Sequence, residues 1–221
     1  MTKLTVAIVL ALGALAFTGF FFGTKFLQRK NLLLGLEWYI LAISATNGVV
    51  YFLTGWQTSF IITSFCDAFS RTVGIPIIGI IGLVQAFNGW RPSHVLEAGL
   101  FAGGALVAVL VLTVAPIHEA LPMGSVVLGL GFDAALILMS IALFRGGAAG
   151  HAFAVVLCAL ALLAIALWDG IPQDPDGAGS ILLNFWVVSD LVWAIAFAEV
   201  YFAYCALEDL HWQNARQLQR F

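Results

Sequence analysis

The segment FCDAFSRTVGIP, residues 65–76, places an aspartate and an arginine inside a long apolar stretch of the chain. Asp67 and Arg71 are four residues apart, so on a helix they lie one turn apart on the same face. Charged side chains in such surroundings form ion pairs, relay protons or bind cations. Which of these applies depends on the depth of the segment and on the other charges at that depth.

The composition of the chain indicates whether this segment is surrounded by water or by lipid. Hydrophobic side chains make up 62% of the 221 residues, charged ones only 10%, and the mean hydropathy is +1.03. Soluble domains carry about 25% charged residues. We therefore predict an all-α integral membrane protein whose main partner is the lipid bilayer. The net charge of −3 leaves no broad basic surface, which argues against nucleic acid as a partner.

Apolar runs of about 20 residues, the length that crosses a bilayer, occur along the whole chain. The predicted spans are residues 4–23, 32–54, 59–87, 95–115, 123–144, 149–168 and 179–207. No linker interrupts them, so residues 1–221 are predicted to form one bundle of seven transmembrane helices. The first run also resembles a secretory signal, with Lys3 ahead of it and Ala14-Leu15-Ala16 within it. Because it continues to Gly23, we expect a retained span.

The basic residues predict the orientation of the bundle. Seven of the nine Lys and Arg residues occur in the first, third and fifth connections and in the C-terminal tail, at positions 25, 29, 30, 91, 145, 216 and 220, while Arg71 lies within the third span and Lys3 alone opposes the pattern. The positive-inside rule then places the N-terminus outside and the C-terminus in the cytoplasm, within the inner or plasma membrane of the cell. Asp169, Asp174 and Asp176 accordingly fall in an outside loop.

Three aspartates are predicted to share one depth near the middle of the membrane. At ~1.5 Å per residue, Asp67 lies roughly 10–15 Å below the outer end of its helix, and Asp133 and Asp190 each enter about as far. An isolated charge at this level costs about 2.5–3.5 kcal/mol. Arg71 is the basic side chain available there and cannot neutralise all three. We expect these groups to face inward and to bind protons or a cation.

A structural role is the alternative for the same residues. Asp67 and Arg71 would then form a bridge, and the other two aspartates would be protonated or hydrogen-bonded. The hydrogen-bonding candidates are Asn47, Asn184 and Ser189.

Two tryptophans accompany Asp190 on its helix. Trp186 lies four residues before it and Trp193 three after it, so the indoles and the carboxylate share one stripe. Aromatic faces beside an anion suit a small organic cation. Packing between helices is the alternative role of these rings.

A second acidic level is predicted nearer the cytoplasm. Glu37 is early in the second span and Glu199 late in the seventh, and with the aspartates they could form a relay of proton or cation stations. Glu37 and Glu97 could equally be interfacial residues at the inner ends of their helices.

Helix breakers and small residues predict bending and close contact. Gly74 and Pro76 predict a kink in the third helix. Gly19 and Gly23, and likewise Gly99 and Gly103, have the spacing of close helix contacts, which could also join copies of the chain into a homo-oligomer. A weak three-one-three repeat would align Asp67 with Asp190.

The sequence lacks the residues that phosphate binding, nucleophilic catalysis, metal binding and retinal binding would require. No phosphate-binding loop or nucleophile elbow is present, and Cys66, Cys158 and Cys205 are not spaced as metal ligands. The topology resembles that of retinal-binding membrane proteins, but the seventh span has no lysine for a Schiff base. We therefore expect neither catalytic residues nor a metal site.

The sequence thus favours a small transporter or channel with a mid-membrane acidic site for protons or a small cationic solute. An intramembrane enzyme acting on lipid would instead have a polar cluster near one face and a lateral opening. A non-catalytic receptor-like protein or complex subunit would keep the Asp67–Arg71 bridge without a cavity.

The orientation can be tested by cysteine labelling. We expect Thr2→Cys to react with an impermeant thiol reagent in intact cells, because the loop charges place the N-terminus outside. Cysteines introduced beside Arg216 should stay protected. The reverse pattern would invert the topology.

Overall fold

The computed structural model describes residues 2–169, 171 and 184–218, with residues 212–218 as backbone only. Asp174, Asp176 and the beginning of the predicted seventh span, from Gly179 onward, lie outside these residues. Within them, seven helices are long and apolar enough to cross a membrane. They are α1 (Lys3–Gln28), α2 (Leu32–Thr54), α3 (Gln57–Asn88), α4 (His94–Thr113), α5 (Ala115–Arg145), α6 (Ala149–Asp169) and α7 (Phe185–Leu218).

Local signals explain where several helices begin and end. Asn31 caps α2, because its side-chain oxygen accepts a hydrogen bond from the Leu34 amide at 3.1 Å. Gly55 and Gly89 follow α2 and α3 with φ of 69° and 70°, in the left-handed region that favours glycine. These caps keep the connections short, and neighbouring helices in sequence therefore run in opposite directions.

One predicted boundary is wrong. We expected the fifth span to start at Met123, but α5 begins at Ala115 and continues through Pro122. The polar residues His118 and Glu119 resemble a loop in sequence, whereas a proline in the first turn, here Pro116, is compatible with a helix.

The third helix is irregular around Pro76. α3 forms π-helical turns over Ser70–Gly79 and returns to α-helix from Ile80. π-Helical turns are rare and are frequently found at functional sites. Arg71 is the second residue of this segment, near the midpoint of α3.

Six of the helices form a ring. Each helix contacts the next one in the order α1, α2, α3, α5, α6 and α7, and α7 packs against α1 to close the ring. α4 lies outside the ring, against α3 and α5. We call the end of the bundle at which α1, α3, α5 and α7 begin the N-side, and the other end the C-side.

The C-side of the ring is closed by packed side chains. The last turns of α3 contact α7 across the ring. A cluster of aromatic rings fills the space between the helices. Trp38 stacks on Phe197 with ring centroids 4.4 Å apart. Phe26 meets Trp38 edge-to-face at 5.4 Å and Tyr204 edge-to-face at 5.2 Å. We call these four residues the aromatic plug; each is at most 1% exposed.

Polar contacts reinforce the plug at the same end. Arg29 forms an ion pair with Glu208 of α7. The Asn31 amide donates to the carbonyl of Gly82 at 2.8 Å and to the Tyr204 hydroxyl at 3.3 Å. The turn between α1 and α2 is therefore fastened to both α3 and α7.

The two pairs of small residues behave differently. A Cβ at Gly19 would lie 2.9 Å from the Ala42 side chain, and one at Gly23 would lie 3.0 Å from the Gly35 carbonyl, so α1 and α2 approach closely there. At Gly99 and Gly103 a Cβ would meet no described atom of the chain within 4 Å. Close packing within the chain was the wrong expectation for this second pair.

Neighbouring glycines in α4 provide a test of this packing. A Cβ at Gly104 would lie 2.5 Å from Cε2 of the Phe69 ring, which is buried between α3 and α4. We expect Gly104→Ala to lower stability by about 1–3 kcal/mol through overpacking. Gly103→Ala should leave it unchanged or slightly higher. Thermal unfolding of purified protein measures both, and equal effects would contradict the packing described.

Candidate functional site

Arg71 joins two helices through two carboxylates. Its Nε lies 3.1 Å from Oδ1 and 3.0 Å from Oδ2 of Asp67, one turn earlier on α3. Its Nη1 forms an ion pair with Asp169, the last residue of α6. The Arg71 side chain is 26% exposed and that of Asp169 is 16% exposed. The guanidinium is thus held between α3 and α6.

Asp169 is the partner that sequence reasoning missed. We placed it in an outside loop because it directly follows an apolar run. The structure continues α6 through Asp169 and brings the end of this helix level with the middle of α3. The relative height of two helices is set by packing, and no sequence pattern specifies it.

The Arg71 pairs form part of the wall of a cavity of about 400 Å³. All six ring helices line it, and α4 contributes no lining residue. Its walls include Tyr51 near the end of α2, Phe60 near the start of α3 and Trp186 near the start of α7, which places the cavity in the N-side half of the bundle. Its volume lies in the range of about 300–1,000 Å³ that is typical of ligand pockets.

The three mid-membrane aspartates are brought together here. Asp133 of α5 and Asp190 of α7 line the cavity along with Asp67. Asp190 is near enough to Asp67 for their charges to repel. Neither Asp133 nor Asp190 makes an ion pair or hydrogen bond with another residue that the structure describes.

The cavity therefore has an excess of acidic groups. Among the described lining residues, four carboxylates face one arginine: Asp67, Asp133, Asp169 and Asp190 against Arg71. Arg71 already pairs with two of them. The remaining two require protons, water or a cation from outside the chain.

Aromatic and hydroxyl groups complete the wall. Trp186 and Trp193 both line the cavity beside Asp190, as their spacing predicted. Trp193 also packs against Phe197, with centroids 5.8 Å apart, so it connects the cavity to the aromatic plug. Most other lining residues are apolar, with hydroxyls at Ser44, Tyr51, Thr63, Ser64, Ser70, Ser125 and Ser189.

The two asparagines that were predicted as site residues do not line the cavity. The Asn47 amide donates to the Ile43 carbonyl of its own helix at 2.9 Å. The Asn184 side chain accepts from the Trp186 amide at 3.1 Å and so caps α7. Hydrogen bonds from these residues to Asp133 or Asp190 are therefore not formed, because nearby backbone groups satisfy both amides.

Glu199 is also separate from the cavity. Its Oε1 lies 2.8 Å from Nδ1 of His151 on α6. It borders an apolar groove between α1 and α7 that includes Ala14 and Phe202. No sequence pattern pairs Glu199 with His151, because the two residues are on different helices.

Glu37 is more deeply buried than its sequence position indicated. The residue is 0% exposed, so the interfacial alternative is wrong for it. Its carboxyl lies directly against Gly74 in the π-helical segment, where a Cβ would overlap it. Glu37 does not line the cavity.

Comparison of the chain with family models, curated proteins and solved structures finds no match. A function must therefore be argued from the residues of the site.

Arg71 provides a test of the site's electrostatics. We expect Arg71→Ala to lower stability on the order of 3 kcal/mol, because it leaves Asp67 and Asp169 without their counter-charge. Arg91→Ala, in the exposed connection after α3, should have little effect. Thermal unfolding in detergent compares the two, and equal stability would show that the Arg71 pairs do not hold α6 to α3.

Proposed function

We propose that this protein is a membrane transporter that binds a small organic cation in the cavity of the ring. The observation that carries the proposal is the charge balance of the wall, where the described residues supply four carboxylates and one arginine. In a low-dielectric site this surplus of acid attracts a positive ligand strongly. A bound cation would supply the charge that Arg71 does not.

The remaining chemistry of the wall favours an organic cation over a metal ion. Trp186 and Trp193 present indole faces beside Asp190, and such faces attract ammonium groups. In the part of the chain that the structure describes, no three His, Cys, Asp or Glu side chains are grouped to hold a metal. Protons are the other candidate ligand, since they need no such grouping.

A transporter is favoured over a channel because the C-side is closed. Below the cavity, Trp193 leads directly into the aromatic plug, and Arg29 pairs with Glu208 beyond it. A channel needs a continuous path, whereas a transporter exposes its site to one side at a time. Opening of the plug would release the cation on the C-side.

The loop charges give this arrangement a direction. The positive-inside rule predicts that the N-side faces outward in the cell's inner or plasma membrane. In that orientation the cavity lies in the outer half of the bundle and the aromatic plug in the cytoplasmic half. The protein would then take up its cation from outside.

The two other functions have less support. A lipid-cleaving enzyme that activates its nucleophile with histidine or lysine is not favoured, because no described lining residue is a histidine or a lysine. A purely structural subunit would be expected to fill the space around its Asp67–Arg71 bridge. Here that bridge borders a cavity of about 400 Å³.

Uptake by reconstituted protein tests the proposal. We expect proteoliposomes to accumulate at least one member of a panel of small primary and quaternary amines. Asp190→Asn should reduce uptake at least tenfold, because it removes an unpaired carboxylate from the wall. Asp209→Asn, the same change at an exposed site of α7, should have no effect.

Two measurements make the result interpretable. Thermal unfolding of Asp190→Asn shows whether lost uptake reflects misfolding. Trp186→Ala, at a residue that is 51% exposed, should weaken binding of quaternary amines without affecting proton flux. If no amine of the panel showed binding or flux, and the Asp190→Asn variant were as stable as the parent, a transport function would be contradicted.

A further inference from the structure

Glu37 is a buried acid that the cation cavity does not use. Both carboxyl oxygens are buried and have no hydrogen-bond partner among the described residues. The Ser70 hydroxyl lies close to the carboxyl without making a hydrogen bond of regular geometry. Gly74 provides the space for the carboxyl, because a side chain at position 74 would overlap it.

The surroundings of Glu37 offer no counter-charge. The helices packed against this part of α2 are α1 and α3, and α7 presents the uncharged ring of Phe197 there, in contact with Trp38. From α3 the Cys66 thiol faces Glu37, whereas Asp67 and Arg71 face the cavity. On α1 the ammonium of Lys25 lies over the Phe21 ring, which is 46% exposed on the outer surface.

An ionised carboxylate is very costly in such a place. It would be removed from water with neither a hydrogen bond nor a positive partner in the described part of the structure. The neutral acid avoids this cost, because a bound proton cancels its charge. The geometry therefore favours the protonated, neutral form of Glu37 in this conformation.

Glu37 also lies between the two functional parts of the bundle. Ser70, Ile75 and Pro76 of the π-helical segment line the cavity, while Gly74 of the same segment contacts Glu37. The next residue along α2 is Trp38, which belongs to the aromatic plug. A movement of the π-helical segment would affect the cavity, Glu37 and the plug together.

We propose that Glu37 is a proton-binding site, distinct from the cation cavity, whose proton is the driving ion of transport. The coupling part of this proposal rests on the transport function proposed above. When the π-helical segment moves away from α2, the carboxyl meets water, its O–H bond breaks and the proton passes to water as the carboxylate forms. Reprotonation restores the neutral acid and allows the segment to pack against it again.

The π-helical segment is suited to this movement. Each π-turn contains an additional residue relative to an α-turn, so such turns can shift along a helix or revert to α-helix. Pro76 has no amide hydrogen to donate, which removes one backbone hydrogen bond that would resist the change. Glycine at position 74 permits close contact with the acid in this conformation.

Infrared spectroscopy tests the proton site without any solute. We expect purified protein to show the carbonyl absorption of protonated carboxylic acids, and Glu37→Gln to lose one component of it. Glu97→Gln is the matched control, because Glu97 is also buried but lies 2.8 Å from Nδ1 of His94. An absorption that is unchanged in Glu37→Gln would overturn the proposal.

A second variant makes this test independent of folding in Glu37→Gln. Gly74→Ala would displace the acid, so its carbonyl absorption should shift in frequency, whereas Gly103→Ala should leave it in place. An identical spectrum for Gly74→Ala and the parent would also overturn the proposed site.

Coupling is tested in proteoliposomes with a pH gradient. We expect the gradient to increase amine uptake several-fold in the parent. Glu37→Gln, an uncharged side chain of nearly the same shape as the acid, should bind the amine with the parent Kd but not respond to the gradient. An unchanged response would overturn the coupling role. If the parent bound no amine while its Glu37 absorption was present, the cation cavity, and with it the coupling role, would be rejected.

Discussion

Charge among apolar helices must be compensated, because burying an unpaired charge is costly. Arg71 lies near the midpoint of α3, between apolar helices. It is compensated by Asp67 on its own helix and by Asp169 at the end of α6. These pairs hold two ring helices at a fixed relative height. They also leave Asp133 and Asp190 without a partner among the described residues, and this imbalance gives the cavity its chemistry.

The two halves of the ring differ in how they accommodate acidic side chains. The N-side half tolerates acids because its cavity admits water or a ligand. The C-side half excludes both, since Trp38, Phe197 and the other plug residues fill it. Glu37 is placed at the boundary between them, where an uncharged acid is favoured over an ionised one. In the function proposed above, one set of helices thereby separates a site for a cation from a site for a proton.

The π-helical segment connects these features. One surface of it contributes Ser70, Arg71, Ile75 and Pro76 to the cavity, and Gly74 receives the Glu37 carboxyl. Phe69, just before the segment, packs against Gly104 of α4 outside the ring. A change in the conformation of this part of α3 would therefore alter contacts on several sides, which is what the proposed transport function needs from a mobile element. The rest of the ring has regular helices that can serve as a scaffold.

The seven apolar helices could be predicted from the sequence, because the thickness of a bilayer sets the length of an apolar run that can cross it. The helical rise also predicted a similar height for Asp67, Arg71, Asp133 and Asp190, and all four line the cavity. Tertiary structure alone decided that Asp169 pairs with Arg71 and His151 with Glu199. It likewise decided that Asn47 faces its own helix and that Glu37 is sealed behind Gly74. Those outcomes depend on the rotation and height of each helix, which are set by packing among all neighbours and leave no local pattern in the sequence.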